Sequence, residues 1–262
     1  MSGDIRLSDE GGVATRLLSA LASLVEQVKP GTFALIGGLA VMTRLTTVHR
    51  VTDDIDAVSE QLGDDPSDIA VVLGEDGVAA VRRLVRGVKV DHIDVGKVPA
   101  SKISSLELPT NEWDRAFVLA HRWGLDSATP VVINAVETEL VVATVTCPAA
   151  SPASLVAMKL QSAPRRPRTR IDKAANDYLD LHRLLSSSDL GFEIARDLTS
   201  DAPHDLGEWA IERIRLDFIE RADDMARAIR RGGSMEELSA DEIASTGVAF
   251  LGRIEQPDVS TN

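Results

Sequence analysis

Cysteine, aromatic residues and positive charge are all scarce in this chain of 262 residues. The single cysteine, Cys147, excludes an internal disulfide and a cysteine-based zinc site. Aromatic residues make up 3% of the sequence, which is too few for a platform on which the bases of single-stranded nucleic acid stack. The formal net charge of −13 argues against a protein that coats duplexes, although a local basic patch is compatible with it.

Long hydrophobic runs are also missing. No apolar run approaches the roughly 18 to 20 residues that a membrane-spanning helix needs. The first twelve residues are acidic and polar, unlike a signal peptide, and the five histidines are too scattered to suggest a metal cluster. We therefore expect a cytoplasmic protein that does not engage a membrane.

The hydrophobic pattern changes near Cys147. Before it, short apolar runs typical of strands alternate with segments of helical periodicity, and after it the apolar residues recur at helical spacing only. The acidic residues 64–76, with a turn signal at Asp65-Pro66, predict a short helix and a loop. The pattern predicts an α/β domain over residues 1–150 and a helical domain over residues 151–262.

Two motifs in the first domain suggest a binding site. Gly37-Gly38 follows the apolar strand 33–36, where glycine permits close backbone approach and the free N–H groups of a helix start favour anions. Asp54 and Asp56 stand two apart in a second strand, so that both point to one face while Ile55 faces the core. Paired carboxylates repel each other unless a cation lies between them, and Mg²⁺ prefers carboxylate oxygens together with phosphates.

Each motif alone has an ordinary explanation. A glycine pair after a strand is most often a turn, and an Asp-x-Asp in an acidic region is most often solvated surface. The glycine pair is neither a P-loop, since no Gly-Lys-Ser/Thr follows, nor a dinucleotide fingerprint. Their combination, in this order, favours phosphoryl or nucleotidyl transfer with divalent metal.

Gly37-Gly38 followed by Arg50-x-Thr52-x-Asp54-Ile-Asp56 resembles the motif of the nucleotidyltransferase superfamily that includes DNA polymerase beta. The resemblance implies an α+β nucleotidyltransferase core with a mixed sheet. It also implies a third carboxylate on a later strand, for which Asp91 is the first choice and Asp94 the rival within residues 88–95. The superfamily often has Gly-Ser where this chain has Gly37-Gly38, so a hydroxyl contact to phosphate is missing.

The helical half carries a second resemblance. A Leu-Val-Ala-Met-Lys-Leu helix ending in Lys159-Leu160, and Asn176-Asp177-Tyr-Leu-Asp180-Leu after it, resemble motifs of the AbiEii-like branch of toxins, which includes the MenT toxins. The resemblance implies that Lys159 contacts nucleotide phosphates and that Asp177 is an active-site acid, with Asp180 a less certain partner. Asn176 stands where that pattern has arginine. The residues alone favour a snorkelling surface lysine at Lys159 and solvated helix residues at Asp177 and Asp180, and only the resemblance favours a function.

Together these inferences predict a site whose members are as follows: catalytic residues Asp54, Asp56, Asp91, Lys159 and Asp177; nucleotide-binding residues Gly37, Gly38, Arg50, Thr52 and Lys159; and metal ligands Asp54, Asp56 and Asp91. The implied function is Mg²⁺-dependent transfer of a nucleoside monophosphate from an NTP to an acceptor hydroxyl. The resemblance to the AbiEii-like toxins implies that the acceptor is the 3′ end of tRNA and that the protein is a toxin with a cognate antitoxin. Residues 159–173 hold six basic side chains and one acid, which suits a basic rim that steers nucleotide or RNA. Nucleotidylation of a small cationic molecule and a catalytically silent nucleotide-binding module remain open alternatives.

Overall fold

A computed structural model of the chain describes residues 4–50, 52–60, 70–73, 79–95, 108–166, 168–233 and 237–255, with the backbone alone for 70–73, 79–81 and 168. The chain divides into two compact units. The first comprises Met1–Leu108 and His121–Ser151, and the second comprises Pro109–Ala120 and Pro152–Asn262. The domain boundary expected at residue 150 stays a prediction.

The first unit is built on one mixed sheet. In the described part of the chain it has eight strands: β1 (Asp4–Ser8), β2 (Phe33–Ile36), β3 (Asp54–Ser59), β4 (Ala70–Leu73), β5 (Ala79–Val85), β6 (Val88–Asp94), β7 (Thr129–Glu137) and β8 (Leu140–Ala149). Their order across the sheet is β1-β7-β8-β2-β3-β6-β5-β4. β1 with β7, β2 with β8 and β3 with β6 are parallel, whereas the other neighbours are antiparallel. The mixed sheet confirms the predicted fold class.

Two helices of the first unit flank β2 in sequence, α1 (Val13–Gln27) and α2 (Gly37–Leu45). β2 consists of Phe-Ala-Leu-Ile and is buried along its whole length, as a central strand with both faces covered must be. In α1 the buried residues Leu17, Leu18, Leu21 and Leu24 recur at helical spacing and form one apolar face. The turn from β2 into α2 is therefore held in the core of the unit.

The second unit is helical. Its elements are the first nine residues of α3 (Glu112–Asp126), then α4 (Pro152–Ser162), α5 (Ile171–Ser186), α6 (Ser188–Ser200), α7 (Leu206–Ile214), α8 (Ala222–Arg231) and α9 (Ala240–Glu255), with a π-helical segment at Arg215–Glu220. Ten of the eleven residues of α4 are buried, which makes it the central helix of this unit. None of the described helices is both long and apolar enough to span a bilayer.

Three elements differ from the sequence-based expectation. Residues 70–73 form strand β4 where a helix and a loop were expected, and the rest of 64–76 lies outside the described residues. Strand β1 and helix α6 had not been predicted. β1 has only two buried apolar side chains, Ile5 and Leu7, and it is completed by pairing with β7 more than a hundred residues later in the chain.

Candidate active site

Gly37 is the residue at which β2 turns into α2. Its φ is +69°, in the left-handed region that disfavours residues with a β-carbon. A β-carbon built there would overlap Asp56 Oδ2 and lie 2.7 Å from Asp56 Cβ. The antiparallel pairing of Ile36 with Asp56 explains this closeness. Glycine is thus required twice, for the backbone conformation and for the carboxylate packed against its Cα atom.

Gly38 makes room for a different side chain. A β-carbon at this position would overlap the terminal nitrogen NH2 of Arg50. The serine that the superfamily often carries here would therefore need Arg50 to move. In this chain the guanidinium group of Arg50 occupies the space that a serine side chain would fill, so that a cation stands at the start of α2 where the superfamily often has a hydroxyl.

Three carboxylates meet on one face of the sheet. Asp54 and Asp56 lie two apart in β3, and Asp91 on β6 is the parallel partner of Asp56. One oxygen from each of the three lies within 4.8 Å of the other two. Asp94 is instead the partner of Ser59, three positions further along the strands. Strand register thus brings Asp91, rather than Asp94, together with the Asp-x-Asp pair.

The donors around Asp54, Asp56 and Asp91 suit a hard divalent cation. Two oxygens on opposite sides of a Mg²⁺ ion are about 4 Å apart, since each Mg–O bond is about 2.1 Å, so small side-chain rotations would bring the three oxygens into one shell. Thr52 donates its hydroxyl to Asp54 Oδ1 at 3.2 Å, a contact that orients the carboxylate. The chemistry of these residues fits the metal that the sequence implied.

Two cationic side chains are already paired with this cluster. Arg82 on β5 donates from Nε and NH2 to the two oxygens of Asp91, at 2.6 and 3.1 Å. Lys89 Nζ lies 2.8 Å from Asp91 Oδ2 and 3.6 Å from Asp54 Oδ2. Partial burial acts to raise the pKa of Asp91, but the hydrogen bonds from Arg82 and Lys89 outweigh it and hold the pKa below its usual value. Asp91 is therefore ionised at neutral pH and is available as an anionic ligand.

A separate charged cluster lies within the second unit. Lys159 on α4 is 5% exposed, and its Nζ donates to Asp177 Oδ1 at 2.7 Å and lies 2.8 Å from Asp180 Oδ2. Arg166 and the Ser162 hydroxyl both donate to Asp177 Oδ2. Asp180 is fully buried. Asp177 and Asp180 are consecutive acids on one face of α5, and both converge on a single ammonium group.

Burial strongly favours the neutral form of Asp177, but the positive charges of Lys159 and Arg166 override it and lower its pKa. Lys159 is thus a buried member of an ion-pair network rather than a snorkelling surface lysine. Replacing such a network by apolar residues is often neutral or stabilising, so packing alone does not require these charges.

Comparison of the sequence with models of protein families identifies the family to which the chain belongs. The model of the nucleotidyl transferase AbiEii toxin family, of type IV toxin–antitoxin systems, matches residues 19–244. The chain belongs to this family. The predicted family and the predicted enzyme class, nucleotidyltransferase, are both confirmed.

Among solved structures, this AbiEii-family chain is similar to an antigenic nucleotidyltransferase-like protein from Paracoccidioides brasiliensis. The likeness has 16% sequence identity and a TM-score of 0.36, and it covers 83% of this chain and 92% of that chain. None of the curated proteins matches the chain.

The structure of this AbiEii-family member adds two residues that the sequence had not indicated, Lys89 and Arg82, and it gives a partner to a third, Arg166. Lys89 stands two positions before Asp91, and strand alternation alone would have placed both side chains on one face. Arg82 had no comparable signal, because only the pairing of β5 with β6 sets it opposite Asp91. Arg166 belongs to the basic segment 159–173, whose ion pair with Asp177 depends on the packing of the helical unit.

Proposed function

We propose that this AbiEii-family nucleotidyltransferase transfers a nucleoside monophosphate from an NTP to the 3′-terminal hydroxyl of tRNA, in a Mg²⁺-dependent reaction that releases pyrophosphate. The observation that carries the proposal is the cluster of Asp54, Asp56 and Asp91, with mutually close oxygens beside the turn into α2. Family membership supports nucleotidyl transfer and the toxin role. The tRNA acceptor rests on the motif resemblance of the helical half.

In this proposal each residue of the first unit has a chemical role. Asp54, Asp56 and Asp91 hold the divalent metal, which when bound supplies positive charge to the triphosphate and makes the attacking hydroxyl more acidic. The backbone N–H groups at Gly37 and Gly38 bind phosphate oxygens at the start of α2. Arg50, packed against Gly38, adds a positive charge where the superfamily often has serine. Thr52 keeps the carboxylate of Asp54 oriented.

Lys159 and Asp177 enter the proposal through resemblance and through their environment. Asp177 and Asp180 keep the Lys159 ammonium charged although it is buried. The motif resemblance suggests that Lys159 contacts the triphosphate, whose oxygens would replace one of these carboxylates as the partner of the ammonium group. The reaction is proposed to take place in the cytoplasm, where NTPs and tRNA are present, and a cognate antitoxin is expected to counteract the toxin.

The test is transfer of label from each of the four α-labelled NTPs to total RNA with Mg²⁺. Wild type is compared with Asp54→Asn/Asp56→Asn and with a control, Asp53→Asn, which removes an exposed neighbouring carboxylate outside the cluster. Label in tRNA with wild type and the control, but not with the double variant, supports the proposal. Label only in added aminoglycosides would refute the tRNA acceptor, and no NTP consumption with any acceptor would refute the enzymatic proposal.

A second test addresses the toxin role and the antitoxin. Expression of wild type should arrest growth, and Asp54→Asn/Asp56→Asn should relieve the arrest at an equal protein level. Co-expression of the gene adjacent to the toxin gene should restore growth. Arrest that persists in the double variant would contradict a toxicity that arises from nucleotidyl transfer.

A further inference from the structure

Five charged side chains share one face of three neighbouring strands. Asp54 lies opposite Lys89 and Asp56 opposite Asp91 in the parallel pairing of β3 with β6. Arg82 lies opposite Asp91 in the antiparallel pairing of β6 with β5. Cross-strand partners point to the same side of a sheet, and so do residues two apart in one strand. Strand register therefore fixes the positions of both cations, Lys89 and Arg82, beside the carboxylate cluster.

We propose that Lys89 and Arg82 are built-in counter-ions of the metal site, which hold its carboxylates before a divalent ion binds and then pass to the phosphates of the incoming nucleotide. The inference rests on the proposed function, because it assigns these two residues to the metal and triphosphate that the proposed function requires. It also predicts the order of binding: the site binds the metal ion tightly together with phosphate and only weakly without it.

The first step of the argument is charge. Three carboxylates with two cations among them leave one net negative charge for these five side chains. A divalent ion that binds without phosphate must displace Lys89, whose ammonium lies 2.8 Å from Asp91 and 3.6 Å from Asp54. It also meets the repulsion of Arg82, which holds both oxygens of Asp91. Lys89 therefore weakens binding of a free metal ion.

The second step is the arrival of phosphate. An NTP carries more negative charge than the divalent metal ion that binds with it carries positive charge. Lys89 and Arg82 can then exchange Asp91 for phosphate oxygens, which leaves the carboxylates to the metal and keeps every charge paired. The Lys89 side chain is 31% exposed and that of Asp91 24%, so both are reached by solvent and by a ligand without unfolding of the sheet. Solvent screening at this exposure limits the effect to about one order of magnitude.

The experiment measures Mn²⁺ binding by equilibrium dialysis, as the excess of total Mn²⁺ on the protein side of the membrane, with the full chain and without any reaction. Each protein is titrated with Mn²⁺ alone and with Mn²⁺ plus inorganic pyrophosphate, which carries the phosphates common to all NTPs. The variants are Lys89→Gln, Lys89→Arg and Arg82→Gln. The matched control, Lys29→Gln, makes the same change in charge at an exposed lysine before the start of β2, the end of that strand opposite Gly37.

Lys89→Gln is expected to bind Mn²⁺ alone about tenfold more tightly than wild type, and to bind Mn²⁺ with pyrophosphate about tenfold more weakly. Arg82→Gln should shift both affinities in the same directions, and Lys89→Arg should stay near wild type because it keeps the charge. Lys29→Gln should change neither affinity by more than about twofold, since its charge lies away from the cluster.

Unchanged or weaker binding of Mn²⁺ alone by Lys89→Gln would overturn the inference. Its failure is separable from failure of the proposed function through Asp54→Asn/Asp56→Asn. If wild type binds Mn²⁺ with pyrophosphate and that variant does not, the metal site stands whatever Lys89→Gln does. If wild type binds no Mn²⁺ under either condition, the metal site itself is wrong.

Discussion

Glycine at position 37 avoids both a strained backbone and a steric clash, and replacing Gly37 by alanine should introduce both. The first is backbone strain, because φ is +69° and alanine in the left-handed region costs about 1–2 kcal/mol. The second is the overlap with Asp56, whose own β-carbon would lie 2.7 Å from the new one. A change of side-chain torsion cannot relieve a clash between two β-carbons. The backbone of β3 must therefore move, and the Asp56 carboxylate moves with it.

The chain offers a control with strain and no clash. Gly31 has a φ of +80°, and a β-carbon there meets nothing within 4 Å. Gly31→Ala should lower the free energy of unfolding by about 1–2 kcal/mol, and Gly37→Ala should lower it further, because the clash with Asp56 adds to the same backbone strain. A displacement of about 1 Å in a reacting group lowers a rate about 100-fold, or about 2.7 kcal/mol in the activation barrier. We therefore expect kcat/KM of Gly37→Ala to fall about 100-fold, and that of Gly31→Ala to stay within about twofold of wild type.

The assay is pyrophosphate release with saturating tRNA and varied NTP, together with chemical denaturation of the same preparations. Mn²⁺ binding with pyrophosphate should be weakened in Gly37→Ala and unchanged in Gly31→Ala. Equal activity of the two variants would refute the reasoning, because it would mean that the position of Asp56 against Gly37 has no bearing on catalysis.

Three further predictions concern other parts of the chain. In Asp91→Asn, transfer activity and Mn²⁺ affinity should each fall by at least about 100-fold, whereas Asp94→Asn should keep both near wild type. The reverse pattern would show that Asp94, and not Asp91, is the third carboxylate of the site. Lys159→Met should lower the free energy of unfolding of the helical unit by about 3–5 kcal/mol, because two buried carboxylates lose their cation. Adding Asp180→Asn should recover part of that loss. An unchanged denaturation midpoint in Lys159→Met would contradict this prediction. Burial raises the pKa of Cys147 to about 12, so its thiol should resist alkylation at pH 8 until the protein unfolds. Since an unfolded thiol ionises near pH 9, stability should fall as the pH rises above 9, by about 1.4 kcal/mol at pH 10 relative to Cys147→Ala, and an equal pH response of the two proteins would contradict the burial argument.

Elements with strong local signals were predictable. β2 and the turn after it follow from an apolar run that ends in Gly37-Gly38, and β3 follows from Asp54-Ile55-Asp56. β4 and β1 were not predictable, because short edge strands carry little pattern of their own and gain stability from pairing with strands that are already formed. Helix α6, between α5 and α7, had not been predicted.

The alternation of β3 fixed, from the sequence alone, that Asp54 and Asp56 point the same way, because side chains two apart in a strand always do. The glycine pair and these acids also carried the resemblance to the nucleotidyltransferase superfamily and, with it, the predicted type of chemistry. The choice between Asp91 and Asp94, and the arrival of Arg82 beside Asp91, depended on tertiary structure. Strand register is set by hydrogen bonds and packing between segments far apart in sequence, so no local pattern contains it. Local sequence thus defined which groups could act, and the sheet decided which of them meet.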